Sequence, residues 1–162
     1  MIIRDALSQD VPAIDAVIRT AYGEFAPSLE PGGWERMERS LAAAGFVAGG
    51  ATLMVAEDGG RVSGSVAYYP PGRSTPAIFP RDWASLRALA VDPSLRSRGI
   101  GRRLTEACVE RARQDGAEII GLHTSEAMLV ARSLYERMGF ALVSELPSRF
   151  GLRYWLFRKV LA

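Results

Sequence analysis

Apolar and polar positions follow two rhythms along this chain, one helical and one alternating. Ile2-Ile3-Arg4 reads as a short strand. Ser8 offers a helix N-cap, Pro12 suits a first turn, and Val11, Ile14, Val17 and Ile18 recur at helical spacing, which predicts a helix ending near Ala21-Tyr22-Gly23. A second amphipathic helix is predicted over 33–44, with Trp34, Met37 and Leu41 on one face. The segment between the two helices, 24–32, reads as a loop from its prolines and glycine. Strand-like runs at 52–56 and 61–69 flank Glu57-Asp58-Gly59-Gly60, a strong hairpin signal. A proline-rich connection over 70–82 follows, of a length typical of lids and binding loops.

The second half alternates: strand 85–91, helix 101–114, strand 118–124, helix 126–138 closed by Gly139, then strands 140–145 and 152–160. Strand–helix–strand–helix–strand implies an α/β (α+β in some schemes) sheet with some parallel pairing. There is no internal repeat, low-complexity tract or interdomain linker, and 162 residues suit one domain over 1–162.

Composition narrows the class. Apolar residues make up 48% and charged residues 23%, and mean hydropathy is +0.04, the balance of a globular chain and not of a disordered or fibrous one. No apolar run reaches the ~20 residues of a membrane helix, and Met1-Ile2-Ile3-Arg4-Asp5 lacks the order of a signal peptide. The expectation is a cytoplasmic protein with no membrane partner. One cysteine and one histidine make neither an internal disulfide nor a common zinc site, so no metal is expected. A net charge of +2 does not argue for nucleic acid. Placement says more than the total: Arg96, Arg98, Arg102 and Arg103 cluster around two glycines.

That cluster lies in the most informative stretch, Leu89-Ala90-Val91-Asp92-Pro93-Ser94-Leu95-Arg96-Ser97-Arg98-Gly99-Ile100-Gly101-Arg102-Arg103-Leu104. An apolar strand turns at Asp-Pro and enters a helix through Arg-x-x-Gly-x-Gly. Glycines let a ligand approach the backbone, and the first N–H groups of the helix are unpaired at its positive end, so the segment suits phosphate oxygens. It has neither the third glycine of a dinucleotide fingerprint nor the Gly-Lys-Ser/Thr of a triphosphate loop. A glycine-rich turn that merely starts a helix is the plain alternative.

Val91-Asp92-Pro93 with Arg96-Ser97-Arg98-Gly99-Ile100-Gly101 resembles the acyl-CoA pyrophosphate loop of the GNAT N-acetyltransferase superfamily. Ala131-Arg132-Ser133-Leu134-Tyr135-Glu136-Arg137-Met138-Gly139-Phe140 resembles the same family's Ala-x-x-Leu-Tyr-x-x-x-Gly-Phe signature. The motifs are in the family's order, and the order of elements fits along nearly the whole chain. The resemblance implies a mixed, bent central sheet of about six to seven strands with helices on both faces. It implies acetyl-CoA as co-substrate, with a small-molecule or peptide amine as acceptor, and leaves room for a homodimer. Carried over, Leu89 and Val91 pair with the pantetheine arm. Gly99, Gly101 and the amides and side chains of Arg96, Arg98 and Arg102 hold the pyrophosphate, an anion that arginine binds well. Tyr135 becomes the general acid for the leaving thiolate, against the alternative of a packed helix tyrosine whose hydroxyl the backbone satisfies.

Two departures from the family pattern stand out. The family's pantetheine-holding Asn is replaced by Met128, which shifts that grip to Thr124 or Ser125. Ser85 stands where many relatives carry a glutamate base, which leaves the base unassigned. His123 is a candidate base or water holder, against a structural histidine, and Glu24 is a weaker candidate. Cys108 reads as a small core residue. Tyr22, Phe25, Trp34, Trp83 and the 70–82 loop are candidates to wall an acceptor pocket. Phe150, Tyr154 and Trp155 either close the sheet or face a second subunit. A CoA-binding module without catalysis, and an interaction domain on the same fold, are the rivals to an N-acetyltransferase.

Overall fold

The computed structural model describes residues 1–161. Seven strands form one sheet in the order β1-β2-β3-β4-β5-β7-β6: β1 Ile2–Asp5, β2 Thr52–Asp58, β3 Arg61–Tyr69, β4 Ala84–Val91, β5 Ile119–Ser125, β6 Ala141–Arg149 and β7 Leu152–Val160. All neighbours are antiparallel except β4 and β5. Five helices cover it: α1 Val11–Gly23, α2 Gly33–Ser40, α3 Ala43–Ala48, α4 Ile100–Gln114 and α5 Leu129–Arg137. The expected mixed α/β architecture, with seven strands and helices on both faces, is what forms. No helix among the described residues is long and apolar enough to cross a membrane.

Strand alternation splits the core into two halves. Leu53 and Val55 of β2 and Ala67 and Tyr69 of β3 point toward α1 and α3, where Ile14, Ile18 and Phe46 meet them. Met54, Ala56, Val66 and Tyr68 point the other way, onto Ile100, Leu104 and Cys108 of α4. Cys108 is fully buried there, and burial pushes its thiol well above the usual value, which is the core role expected of it.

Three local readings change. The helix expected over 33–44 is two helices, because the chain leaves helical geometry at Leu41 and Ala42, and the Asp15 carboxylate accepts the Ala43 N–H at 2.9 Å to start α3. The expected N-cap of Ser8 does not form: the position before α1 falls to Asp10, whose side chain makes no cap to that helix. Ser8 opens a 3-10 turn, and the buried Asp10 carboxylate accepts the Leu7 N–H at 2.7 Å while pairing with Arg4 at 2.8 Å. Helix α5 begins at Leu129, three residues later than expected, because Glu126 is used instead to accept the Arg153 N–H at 2.7 Å.

The feature that organises the site is the parting of β4 and β5. They pair only at Ala84↔Ile120 and Ser85↔Gly121, and then diverge. On the other side of β4, Ser65↔Ala90 is followed by Ala67↔Arg87, so β4 carries one residue more than β3. That bulge holds Ala88 at φ 56, and bulges bend a strand and raise its local twist. At the last pair, a Cβ on Gly121 would sit 2.8 Å from Trp83 and 3.0 Å from Phe79. These two rings and Leu156 form a third small core. Here the 70–82 connection folds inward: Ser74 is buried, its Oγ donates to the Trp83 carbonyl at 2.7 Å, and it shares a 2.7 Å hydrogen bond with Ser85 Oγ. The segment braces the root of the fork. A Gly121→Val substitution should lower stability by about 1–3 kcal/mol through overpacking against these rings. Urea denaturation should show a lower midpoint with an unchanged slope.

Candidate active site

The diverging strands open a cavity of about 690 Å³. Its walls are the freed part of β4, the start of the gap on β5, the entrance of α4 and one face of α5. Beyond Ser85 the β4 edge that faces β5 has no ladder partner, so backbone polar groups border the cavity. One of them, the Leu89 carbonyl, accepts a hydrogen bond from Tyr22 Oη at 3.1 Å and keeps a second lone pair free.

At the far end of β4 the chain turns through Ser97 (φ 65) and Gly99 (φ 78) into α4. Gly99 is the N-cap, in the left-handed region that suits glycine, and no side chain caps the helix. The first intrahelical bond there runs from the Arg103 N–H to the Gly99 carbonyl at 3.0 Å, which leaves the amides of Ile100, Gly101 and Arg102 without intrahelical partners. A Cβ on Gly101 would lie 3.5 Å from Leu134, 3.7 Å from Leu89 and 3.7 Å from Val91, so this glycine faces the gap between β4 and α5. Gly99, Gly101, Leu89, Val91, Arg96 and Arg102 all line the cavity.

The arginines there differ from one another. Arg96 forms a 2.8 Å ion pair with Glu24, which ties the end of α1 to the loop. Arg102 pairs with Glu106 one turn along α4 at 2.9 Å. Arg98 is exposed and does not line the cavity.

Tyr135 is brought to the same cavity from α5. Its ring is buried and meets Phe140 edge-on at 5.8 Å. Burial raises the proton affinity of its hydroxyl well above the usual phenol value.

On β5, His123 and Thr124 line the cavity, while Ser125 is buried and accepts the Ala127 N–H at 3.3 Å. His123 Nδ1 and Thr124 Oγ1 are buried with no partner among the described residues. The imidazole stacks on Tyr154 at 5.4 Å and meets Phe79 edge-on at 6.1 Å. Burial, helped by the positive charges of Arg87 and Arg149, pulls its pKa down to about 3. Ser85, engaged with Ser74, does not reach the cavity.

Of the aromatic residues considered for a wall, Tyr22, Phe25, Phe150 and Tyr154 line the cavity; Trp34 and Trp83 do not, and neither does the 70–82 segment. Arg87 and Arg149 also line it, and sequence reasoning passed over both. A lone arginine inside the apolar run Leu86-Arg87-Ala88-Leu89 was the available signal for the first.

Comparison with known proteins agrees with this geometry. The family model for the acetyltransferase (GNAT) family matches residues 16–140. The mycothiol acetyltransferase of Geodermatophilus obscurus is 32% identical over 127 residues, which is 77% of this chain but 40% of that protein; the chain thus spans less than half the length of this relative. The uncharacterized N-acetyltransferase YhbS of Escherichia coli is 27% identical over 144 residues, 89% of this chain and 75% of YhbS. The YncA acetyltransferase of Salmonella typhimurium, solved with its cofactor acetyl-CoA, matches with a TM-score of 0.73 at 19% identity, covering 100% of this chain and 94% of that one, a likeness of fold. With the phosphate-type loop, the parted strands and the tyrosine gathered on one cavity, and with the family model spanning both motifs, the chain belongs to the GNAT acetyltransferase family.

Proposed function

We propose that this chain is a single-domain N-acetyltransferase that moves an acetyl group from acetyl-CoA to a primary amine by direct attack. The observation that carries the reading is the parting of β4 from β5 directly beside the uncapped start of α4. It puts unpaired strand backbone and three unpaired helix amides along one cavity. An extended amide-bearing arm ending in a pyrophosphate needs that combination.

The residues present fit such a ligand. Leu89 and Val91 offer backbone along the freed edge, and Gly101 leaves the approach to the helix amides open. Ile100, Gly101 and Arg102 would donate their amides to phosphate oxygens at the positive end of α4. Arg96 and Arg102 add charge once phosphate competes with Glu24 and Glu106 for them. Thr124, with an unpartnered hydroxyl on β5, takes the polar role that Met128 cannot fill. Acetyl-CoA would supply the acyl group already activated as a thioester.

Tyr135 is the proton donor to the departing sulfur in this reading. A phenol with raised proton affinity stays protonated throughout the working range. Desolvation in the same cavity raises the basicity of a thiolate as well, so donor and acceptor remain matched. Among the described residues the only carboxylate lining the cavity is Glu24, held by Arg96, so none of them offers a free carboxylate to act as base. His123 stays neutral and holds a water or the incoming amine through its unpartnered Nδ1; it is too weakly basic to be a strong proton acceptor.

Three outcomes test this reading. Gly101→Val should weaken CoA binding at least about tenfold by crowding the helix amides. Calorimetry on the folded variant reads it, and unchanged affinity would remove the loop from the site. Tyr135→Phe should lower kcat by about 100- to 10,000-fold with little change in CoA affinity. A loss below about threefold would hand the role to water. Free thiol released against an amine panel, with CoA binding measured in parallel, separates a transferase from a module that only binds CoA.

A further outcome concerns His123, the chain's only histidine. Its imidazole nitrogen signals should show no protonation between pH 8 and 5, whereas a titration near pH 6 would contradict the buried, cation-faced ring. Its folded pKa lies below the ordinary value near 6.5, so it contributes stability that is present above pH ~6.5 and is lost as pH falls toward 3. Thermal midpoints should therefore fall over that window, and less steeply in His123→Gln.

A further inference from the structure

Among the described residues, five arginines line the cavity, against one carboxylate. Arg96 and Arg102 are balanced by Glu24 and Glu106, and Arg137 Nη1 donates to Ser133 Oγ. Arg87 and Arg149 differ from these: among the described residues neither has an acidic partner. The Arg87 guanidinium lies over the Phe46 ring at 5.6 Å, its Nη1 donates to Thr75 Oγ1 at 3.3 Å, and its Nε is buried with no partner. Burial lowers its proton affinity, and Arg149 adds to the effect. Arg149 lies over Phe150 at 5.1 Å and over Tyr154 at 5.9 Å, the ring that stacks on His123. A desolvated cation without a counter-ion is costly, and a second one facing it more so.

Position separates this pair from the phosphate end. The last β4–β5 pair is Ser85↔Gly121, so Arg87 and His123 each stand two residues past the point of parting. Val91 is four residues further along β4, roughly 13 Å at ~3.3 Å per residue, before the turn into α4 is reached. Arg87 also packs on Phe46, in the core half under α1 and α3, whereas Gly101 and Tyr135 belong to the half under α4 and α5. The two unbalanced arginines thus sit at the opposite end and on the opposite face of the gap.

Resting on the transferase reading above, we infer that the acceptor is a primary amine that itself carries a carboxylate, an amino-acid-type substrate whose carboxylate is seated on Arg87 and Arg149. A guanidinium fork matches a planar carboxylate with paired N–H donors, and the orphaned Arg87 Nε, beside the guanidinium of Arg149 that also lines the cavity, is a donor of that kind. Such an anion supplies the missing counter-charge. Tyr22, Phe150 and Tyr154 form the apolar rim around it.

The test compares matched acceptors: free phenylalanine and methionine, their primary amides, and the corresponding decarboxylated amines. Each is assayed by thiol release from acetyl-CoA. The free acids should exceed their uncharged counterparts at least about tenfold in kcat/KM, since a site built to hydrogen-bond a group rejects analogues that lack it. Arg87→Met should abolish that preference with CoA affinity unchanged, and should raise the thermal midpoint of the ligand-free protein by removing an uncompensated charge. Arg149→Gln should reduce the preference too, and serves as the second variant should Arg87→Met misfold.

A binding readout is independent of turnover. On the CoA-loaded protein, N-acetylphenylalanine should bind and N-acetylphenylalaninamide should bind more weakly by calorimetry, a difference that Arg87→Met erases. Amides or plain amines that match the acids, or a preference that survives in Arg87→Met, would overturn the inference. So would a CoA-loaded protein that binds neither free nor N-acetylated amino acids. Failure to bind CoA at all would instead bring down the transferase reading beneath it.

Discussion

The cavity in this molecule depends on two strands that start as partners and then part. Parallel β4 and β5 share two register pairs, after which each must leave backbone groups unsatisfied inside a covered sheet. The parting is held by packing on both sides. Trp83 and Phe79 fill the place of a side chain on Gly121, and the bulge at Ala88 bends β4 without breaking its ladder with β3. Because α1 and α3 cover one face and α4 and α5 the other, the gap runs through the sheet between two separate core halves.

The charges follow the same division. Near the start of α4, Arg96 and Arg102 are offset by Glu24 and Glu106 at ordinary ion-pair distances. The Glu24–Arg96 pair also links the end of α1 to that loop across the cavity mouth. At the point of parting no carboxylate among the described residues offsets Arg87 and Arg149. Arginine suits such a place because its guanidinium keeps its charge when desolvated, where a lysine would shed its proton.

Much of this was legible along the chain, wherever a signal was local. The run from Leu89 to Leu104 announced a strand, a turn and an uncapped helix through its own residues, and Leu134-Tyr135 with Gly139-Phe140 marked α5. The Asp58-Gly59-Gly60 turn announced the β2–β3 hairpin in the same way. What escaped depends on contacts distant in sequence. The break at Leu41 and Ala42 is reinforced by Asp15, which holds the Ala43 N–H from 28 residues away. The 70–82 segment has the composition of a free loop, and only Ser74 meeting Ser85 and Phe79 meeting Trp83 reveal a brace. Arg87 and Arg149 are 62 positions apart, and neither is unusual until the fold brings them to one cavity.

The imidazole at the point of parting shows why these features cannot be read one at a time. His123 is kept neutral first by burial and then by the same two guanidiniums that lack counter-ions. Any anion that balances Arg87 and Arg149 removes part of the field that keeps the ring neutral, while the packing of Tyr154 and Phe79 leaves it as dry as before. The proton affinity of His123 therefore depends on what occupies its neighbours. Burial alone would give a histidine indifferent to its ligand, and exposed arginines would be screened by solvent. The coupling needs both, and the parted strands provide both at one spot.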